Sequence, residues 1–162
     1  MNKKILYLDM DGVLADFDGR MKEICPELYT SEEFDTYDKK SDEIDAIVSR
    51  QPRIFETLNP MDGAIDAVKQ LFSRYQVYFL STPMWAVPES FMGKRIWLEK
   101  HFGEDAKKKL ILSHRKDLAI GDYLVDDRTK NGAGEFTGEH IHFGQNEFPT
   151  WKETLDYLLK NV

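Results

Sequence analysis

The chain has 162 residues, and its 22 Lys+Arg against 29 Asp+Glu give a formal charge of −7 at pH 7. That length suits one packed domain and excludes two full ones, while the net negative field argues against a polyanion such as nucleic acid as partner. Hydrophobic content is 41% and no apolar run approaches the ~18 residues of a membrane span.

In chain order, Ile5-Leu6-Tyr7-Leu8 reads as a buried strand that ends abruptly in Asp9-Met10-Asp11-Gly12. Met1-Asn2-Lys3-Lys4 precedes it without a small-residue cleavage site, so the expected location is the cytoplasm. Residues 18–58 are rich in charge, with 11 acidic and 6 basic side chains, and Ile44, Ile47 and Val48 share one face of a short helix. This stretch is expected to be an inserted helical subdomain. Its Cys25, the only cysteine, lacks a basic neighbour and is a bland residue.

Asn59-Pro60 has the chemistry of an N-cap followed by proline, ahead of an amphipathic helix carrying Ala64, Ile65, Val68, Leu71 and Phe72. Val77-Tyr78-Phe79-Leu80 is a second strand and ends in Ser81-Thr82-Pro83. A helix over roughly 89–101 stops at Gly103, and Leu110-Ile111-Leu112 then leads to His114-Arg115-Lys116. Tyr123-Leu124-Val125 runs into Asp126-Asp127, and His140-Ile141-His142-Phe143 alternates as a strand. A last helix follows Thr150, which has capping-box spacing to Glu153. Strands alternating with helices predict an α/β fold, a parallel sheet with helices on both faces.

Ligands bind at the carboxyl ends of strands in such sheets. Four strands here end in two aspartates, a Ser-Thr pair, a basic triplet and two aspartates. Carboxylates hold a hard cation such as Mg²⁺, and the cation with lysine and hydroxyl donors makes a receptor for phosphate. Residues 94–116 carry 8 basic and 3 acidic side chains, a local reversal of the global charge.

The stretch Asp9 to Phe17, DMDGVLADF, resembles the first motif of the haloacid dehalogenase (HAD) superfamily; Ser81 or Thr82, Lys116 and Asp126-Asp127 resemble its later motifs in the required order. Together with Gly93-Lys94 ahead of Trp97-Leu98-Glu99, and GDYLVDD from Gly121, these residues are similar to the 5′(3′)-deoxyribonucleotidase branch. The resemblance implies a Rossmann-like three-layer core over residues 1–17 and 59–162, with residues 18–58 as a small helical cap. It implies a Mg²⁺-dependent hydrolase of phosphomonoesters, with a deoxynucleoside monophosphate as the small-molecule partner.

By that resemblance Asp9 is the nucleophile and Asp11 the general acid and base. Asp9, Asp11 through its backbone carbonyl, and the Asp126-Asp127 pair hold the metal, with Asp127 the favoured ligand of the two. Ser81, Thr82, Lys94 and Lys116 bind phosphate, and Phe17 contacts the substrate. Phe34 and Tyr37 are the nearest counterparts of the family's aromatic substrate-binding residues. Three alternatives stay open: Asp122 with Asp126 as the acidic motif, Lys94 on a solvated helix face, and Met84 and Trp85 as either base pocket or core. Another small phosphomonoester, such as a sugar phosphate, or a non-catalytic phosphate-binding protein are the competing functions. Neither membrane nor polynucleotide is expected as a partner, and oligomeric state is not readable.

Overall fold

Four apolar runs and one alternating segment become the strands of a single sheet in the computed structural model, which describes residues 2–29 and 40–162. The strands are β1 (Ile5–Leu8), β2 (Gln76–Ser81), β3 (Leu110–Leu112), β4 (Tyr123–Asp126) and β5 (Glu139–His142), all parallel, in the order β3-β2-β1-β4-β5. Order reverses beside β1, and a ligand crevice is expected at such a reversal.

Register explains why the strands read as continuous apolar runs. Leu6 pairs with Val77 and Tyr123, and Leu8 with Phe79 and Val125, forming one buried face. Tyr7, Leu80 and Leu124 form the other. Each fully buried large apolar side chain contributes about 1.5–3 kcal/mol.

Helices α4 (Ala64–Arg74), α5 (Glu89–Phe102) and α6 (Trp151–Lys160) share the first core, through residues such as Leu71, Trp97 and Leu158. The opposite face is covered by a thinner layer, the 3₁₀ turns Lys116–Leu118 and Ala133–Glu135 with their flanking loops. The connections 113–122 and 127–138 are too short to cross the sheet with a full helix. So the third layer exists, but as turns rather than the helices that alternation suggested. As a result Leu118 and Ile120 remain exposed on that side.

Helices α1 (Phe17–Ile24), α2 (Ser41–Val48) and α3 (Ile54–Thr57) lie between β1 and α4 in sequence. The Asp16 carboxylate caps α1 by accepting the Gly19 N–H at 2.9 Å. In α2, Ile44 and Val48 are buried. Short α3 packs against α5, and the Phe55 ring stacks on Phe17 at 5.8 Å between centroids.

One local reading is corrected. Helix α4 begins at Ala64 after Gly63, not at Pro60. Residues 59–61 instead pair with the chain leaving β1: Asp16 N–H donates to Asn59 O, and Met61 N–H to Leu14 O. The polar Asn59 and the rigid Pro60 suit this short bridge as well as they suit a helix start, and the bridge prevails. At the far end Thr150 does cap α6, accepting from Lys152 N–H at 3.1 Å and bonding Glu153. Among the described residues no helix is long and apolar enough to cross a membrane.

Candidate active site

The site begins where β1 ends. Asp9 N–H still donates to Val125 O at 2.9 Å, so the ladder carries Asp9 alongside the end of β4. The chain then coils around the Met10 carbonyl, which accepts from the N–H groups of Val13, Leu14 and Ala15. This coil requires Gly12 in the left-handed region, φ +78°, and a Cβ there would lie 2.2 Å from Asp127 Oδ2. The loop is anchored from behind by Trp151, whose indole N–H donates to Val13 O at 2.7 Å.

Asp9, Asp126 and Asp127 converge so that one carboxylate oxygen from each lies within 4.8 Å of the others. Lys116, only 3% exposed, enters this group. Its ammonium is 3.0 Å from Asp9 and in short contact with Asp126 Oδ2. The other Asp126 oxygen accepts the Arg128 N–H at 2.9 Å. Both Asp126 oxygens are therefore held by the protein, whereas buried Asp127 Oδ1 has no hydrogen-bond partner among the described residues.

Three carboxylates crowd together here, and the one ammonium pairs with two of them, Asp9 and Asp126. Burial alone would push the Lys116 pKa down, but Asp9 and Asp126 overcome it and keep the ammonium firmly charged. Burial, with Asp9 beside it, pushes Asp126 up to about 7 against the pull of Lys116. Asp127 is pushed well above the carboxylate range by burial, then by Asp9 and Asp126. A surplus of buried negative charge with an orphaned oxygen is what a hard, oxygen-seeking divalent cation would satisfy, so the residues present fit Mg²⁺.

Asp11 stands apart from this group. Its Oδ2 accepts from Lys94 at 2.6 Å, across from α5. Lys94 is 1% exposed and lies over the Phe55 ring at 5.3 Å, so it is no part of a solvated helix face.

These groups open into a cavity of about 340 Å³, within the range of small-molecule sites. Asp9, Asp11, Phe17, Thr82, Lys116, Asp126 and Asp127 line it; Ser81 and Lys94 do not. Ser81 ends β2 fully buried, with a hydroxyl lacking a partner among the described residues. The Thr82 hydroxyl donates to Ser113 O at 2.8 Å. Met84 and Trp85 both reach the cavity; Met84 is buried, but Trp85 is 81% exposed, edge-on to His114 at 5.8 Å. Phe34 and Tyr37 lie outside the described residues. Asp122 serves elsewhere, accepting the Ile5 N–H at 2.8 Å on Oδ2, so the acidic motif is Asp126-Asp127.

Sequence reasoning did not single out Asp18, Ser41, Asp45, Arg128 or Lys130, all on the cavity wall. Ser41 and Asp45 are one helical turn apart on α2, a spacing that places them on one face. Arg128 and Lys130 directly follow the second acid pair, and that proximity was an available signal.

A parallel sheet with crossover helices, acids at the ends of the neighbouring strands β1 and β4 and a buried lysine between them make up a fold of the HAD type. In keeping with this, the Bacillus subtilis HAD-hydrolase YfnB, crystallised with magnesium, superimposes with a TM-score of 0.63 over 100% of both chains at 12% identity. Residues 3–153 match the family "5′ nucleotidase, deoxy (Pyrimidine), cytosolic type C protein", and the chain belongs to that family. A Vibrio phage KVP40 protein named as a 5′(3′)-deoxyribonucleotidase is 46% identical over 97% of this chain and 85% of its own. The mitochondrial 5′(3′)-deoxyribonucleotidase of Mus musculus is 28% identical over 93% of this chain and 71% of its own.

Proposed function

We propose that the protein is a Mg²⁺-dependent phosphomonoesterase that removes the phosphate of deoxyribonucleoside monophosphates. The observation that carries this reading is the group Asp9, Asp126, Asp127 and Lys116, open to a small cavity in a chain of this family. Its frame is a catalytic core of residues 1–17 and 59–162, with residues 18–58 as a cap that contributes Phe17's neighbour Asp18 and, from α2, Ser41 and Asp45.

Asp9, Asp127 and the backbone of Asp11 would hold the cation. Asp126, with both oxygens engaged, aligns Lys116 instead. When bound, Mg²⁺ supplies positive charge that offsets the carboxylates and the phosphate together. Asp9 attacks phosphorus in line, breaking the P–O bond to the sugar and forming an aspartyl-phosphate; Asp11 protonates the departing alkoxide. Asp11 then takes a proton from water as its oxygen attacks phosphorus, releasing inorganic phosphate and restoring Asp9. Lys116 faces the reacting group directly. Lys94 acts across Asp11, holding its carboxyl group in place, with Thr82, on the cavity wall just beyond β2, completing the cradle. Phe17, stacked on Phe55, forms an apolar wall for the nucleoside.

The test is inorganic phosphate release from a panel of 5′- and 3′-deoxyribonucleotides, ribonucleotides and sugar phosphates, with Mg²⁺ and with EDTA. Mg²⁺-dependent turnover highest on deoxyribonucleotides supports the reading; preference for sugar phosphates, or no release at all, overturns it. Asp11→Asn is expected to lower kcat by about 10²–10⁴-fold on nucleotides. It should cost much less on an aryl phosphate whose leaving group needs no proton. Equal losses on both would remove Asp11 from the acid role.

A further inference from the structure

We infer that His142, braced by His140, is a positioning residue for the second acid pair: its imidazole N–H fixes the Asp127 carbonyl and so the direction in which the Asp127 carboxylate is presented. The inference rests on the cation-binding role proposed for Asp127, but its geometry stands independently.

His140 and His142 alternate along β5 and share one face of the sheet. His142 Nε2 lies 3.0 Å from Asp127 O, and His140 Nε2 lies 3.3 Å from Asp126 O. The rings stack with centroids 5.3 Å apart and planes 26° from parallel. A carbonyl oxygen only accepts, so each ring must carry its proton on Nε2. That requirement makes both imidazoles donors toward the acid pair.

The two bonds differ in consequence. Asp126 O already accepts the Phe143 N–H at 3.0 Å, the last bond between β4 and β5, so the His140 contact is its second. Asp127 lies beyond the end of β4, and His142 holds its carbonyl where no ladder bond does. On the other edge of the same peptide, the Arg128 N–H donates to Asp126 Oδ1. The peptide from Asp127 to Arg128 is thus held at both C=O and N–H, which restricts rotation about ψ of Asp127 and so narrows the directions open to its Cα–Cβ bond. The clamp continues through Asp126 and Lys116 to Asp9. His142 is its outermost anchor.

The experiment titrates Mg²⁺ by calorimetry into EDTA-stripped, dialysed parent protein, His142→Phe, His142→Gln and His140→Phe, with circular dichroism to confirm the fold. His142→Phe keeps a stacking ring but loses the donor, and should weaken Mg²⁺ binding by about 10–100-fold, the usual effect of removing a group that orients a ligand. His142→Gln retains an N–H able to reach the carbonyl and should recover part of that loss. His140→Phe should change affinity much less than His142→Phe. Binding by His142→Phe equal to parent, an equally weak His142→Gln, or an equal loss in His140→Phe overturns the assignment. Should His142→Phe not fold, His142→Met against His142→Gln makes the same comparison. A parent that binds no Mg²⁺ overturns both this inference and the cation reading beneath it, whereas parent binding with an unaffected His142→Phe overturns this inference alone.

Discussion

Asp9→Asn is expected to reduce Mg²⁺-dependent phosphate release by at least about 10⁴-fold while leaving the fold intact. Asparagine keeps the shape of the side chain at the end of β1 but is a poor nucleophile toward phosphorus. Lys116 would retain Asp126 as its partner, so no buried cation is stranded. The substitution also removes one member of a crowded anionic group, and stability should hold or rise slightly. Steady-state phosphate release beside a thermal melt distinguishes the two effects. Turnover within about tenfold of the parent would sink the nucleophile assignment.

Lys116→Met should produce the largest loss of stability, about 3–5 kcal/mol, because it leaves Asp9 and Asp126 buried without their shared ammonium, with Asp127 close beside them. In a domain of this size that corresponds to a fall in Tm of roughly 6–20 °C. Activity should fall with it, since the same ammonium faces the phosphate. The pH dependence has a definite sign. The Asp126 pKa is raised in the folded chain to about 7, by burial and Asp9 against the pull of Lys116. The folded state therefore holds that proton more tightly than the unfolded one. Its contribution to stability is complete below the ordinary carboxyl pKa and declines as pH rises toward and through about 7. With EDTA present, Asp126→Asn should lessen this decline, leaving the part that buried Asp127 contributes in the same direction, and Lys116→Met should enlarge it. Added Mg²⁺ should counter it. A Lys116→Met protein as stable as the parent at pH 8 in EDTA would contradict the charge balance described above.

The strand ends were legible in the sequence because an apolar run that stops abruptly at a carboxylate marks a buried strand delivering charge to the edge of a sheet. Asp9, Lys116 and Asp126-Asp127 were placed together on that basis, and the structure has them in one group. The different surroundings of Asp126 and Asp127 were not legible in composition, although the resemblance favoured Asp127 as the ligand. Adjacent residues leave identical composition signals, and their difference lies in what holds their oxygens: Lys116 and the Arg128 N–H engage Asp126, whereas Asp127 Oδ1 has no hydrogen-bond partner among the described residues. Asn59-Pro60 misled because helix caps and short bridges draw on the same residue types. His140 and His142 gave no functional signal at all, since their partners are backbone carbonyls that any residue carries. Lys94 could be read in the sequence as a phosphate contact or as part of a solvated helix face; the packing of α5 over α3 excludes the solvated face and buries it against Asp11.

The central position of β1 has a consequence for how the chain is made. On a ribosome β1 emerges first of the five strands, yet its partner on one side, β4, is more than a hundred residues behind it. At about 5–20 residues per second the nascent chain waits several seconds or more with that edge unpaired. During this interval Asp9 stays in water, far from Asp126 and Asp127, and the crowding of like charges is met only when β4 docks. Docking of β4 beside β1 and the gathering of Asp9, Asp126 and Asp127 thus coincide late in biosynthesis, and a cation captured at that moment would favour completion of the fold.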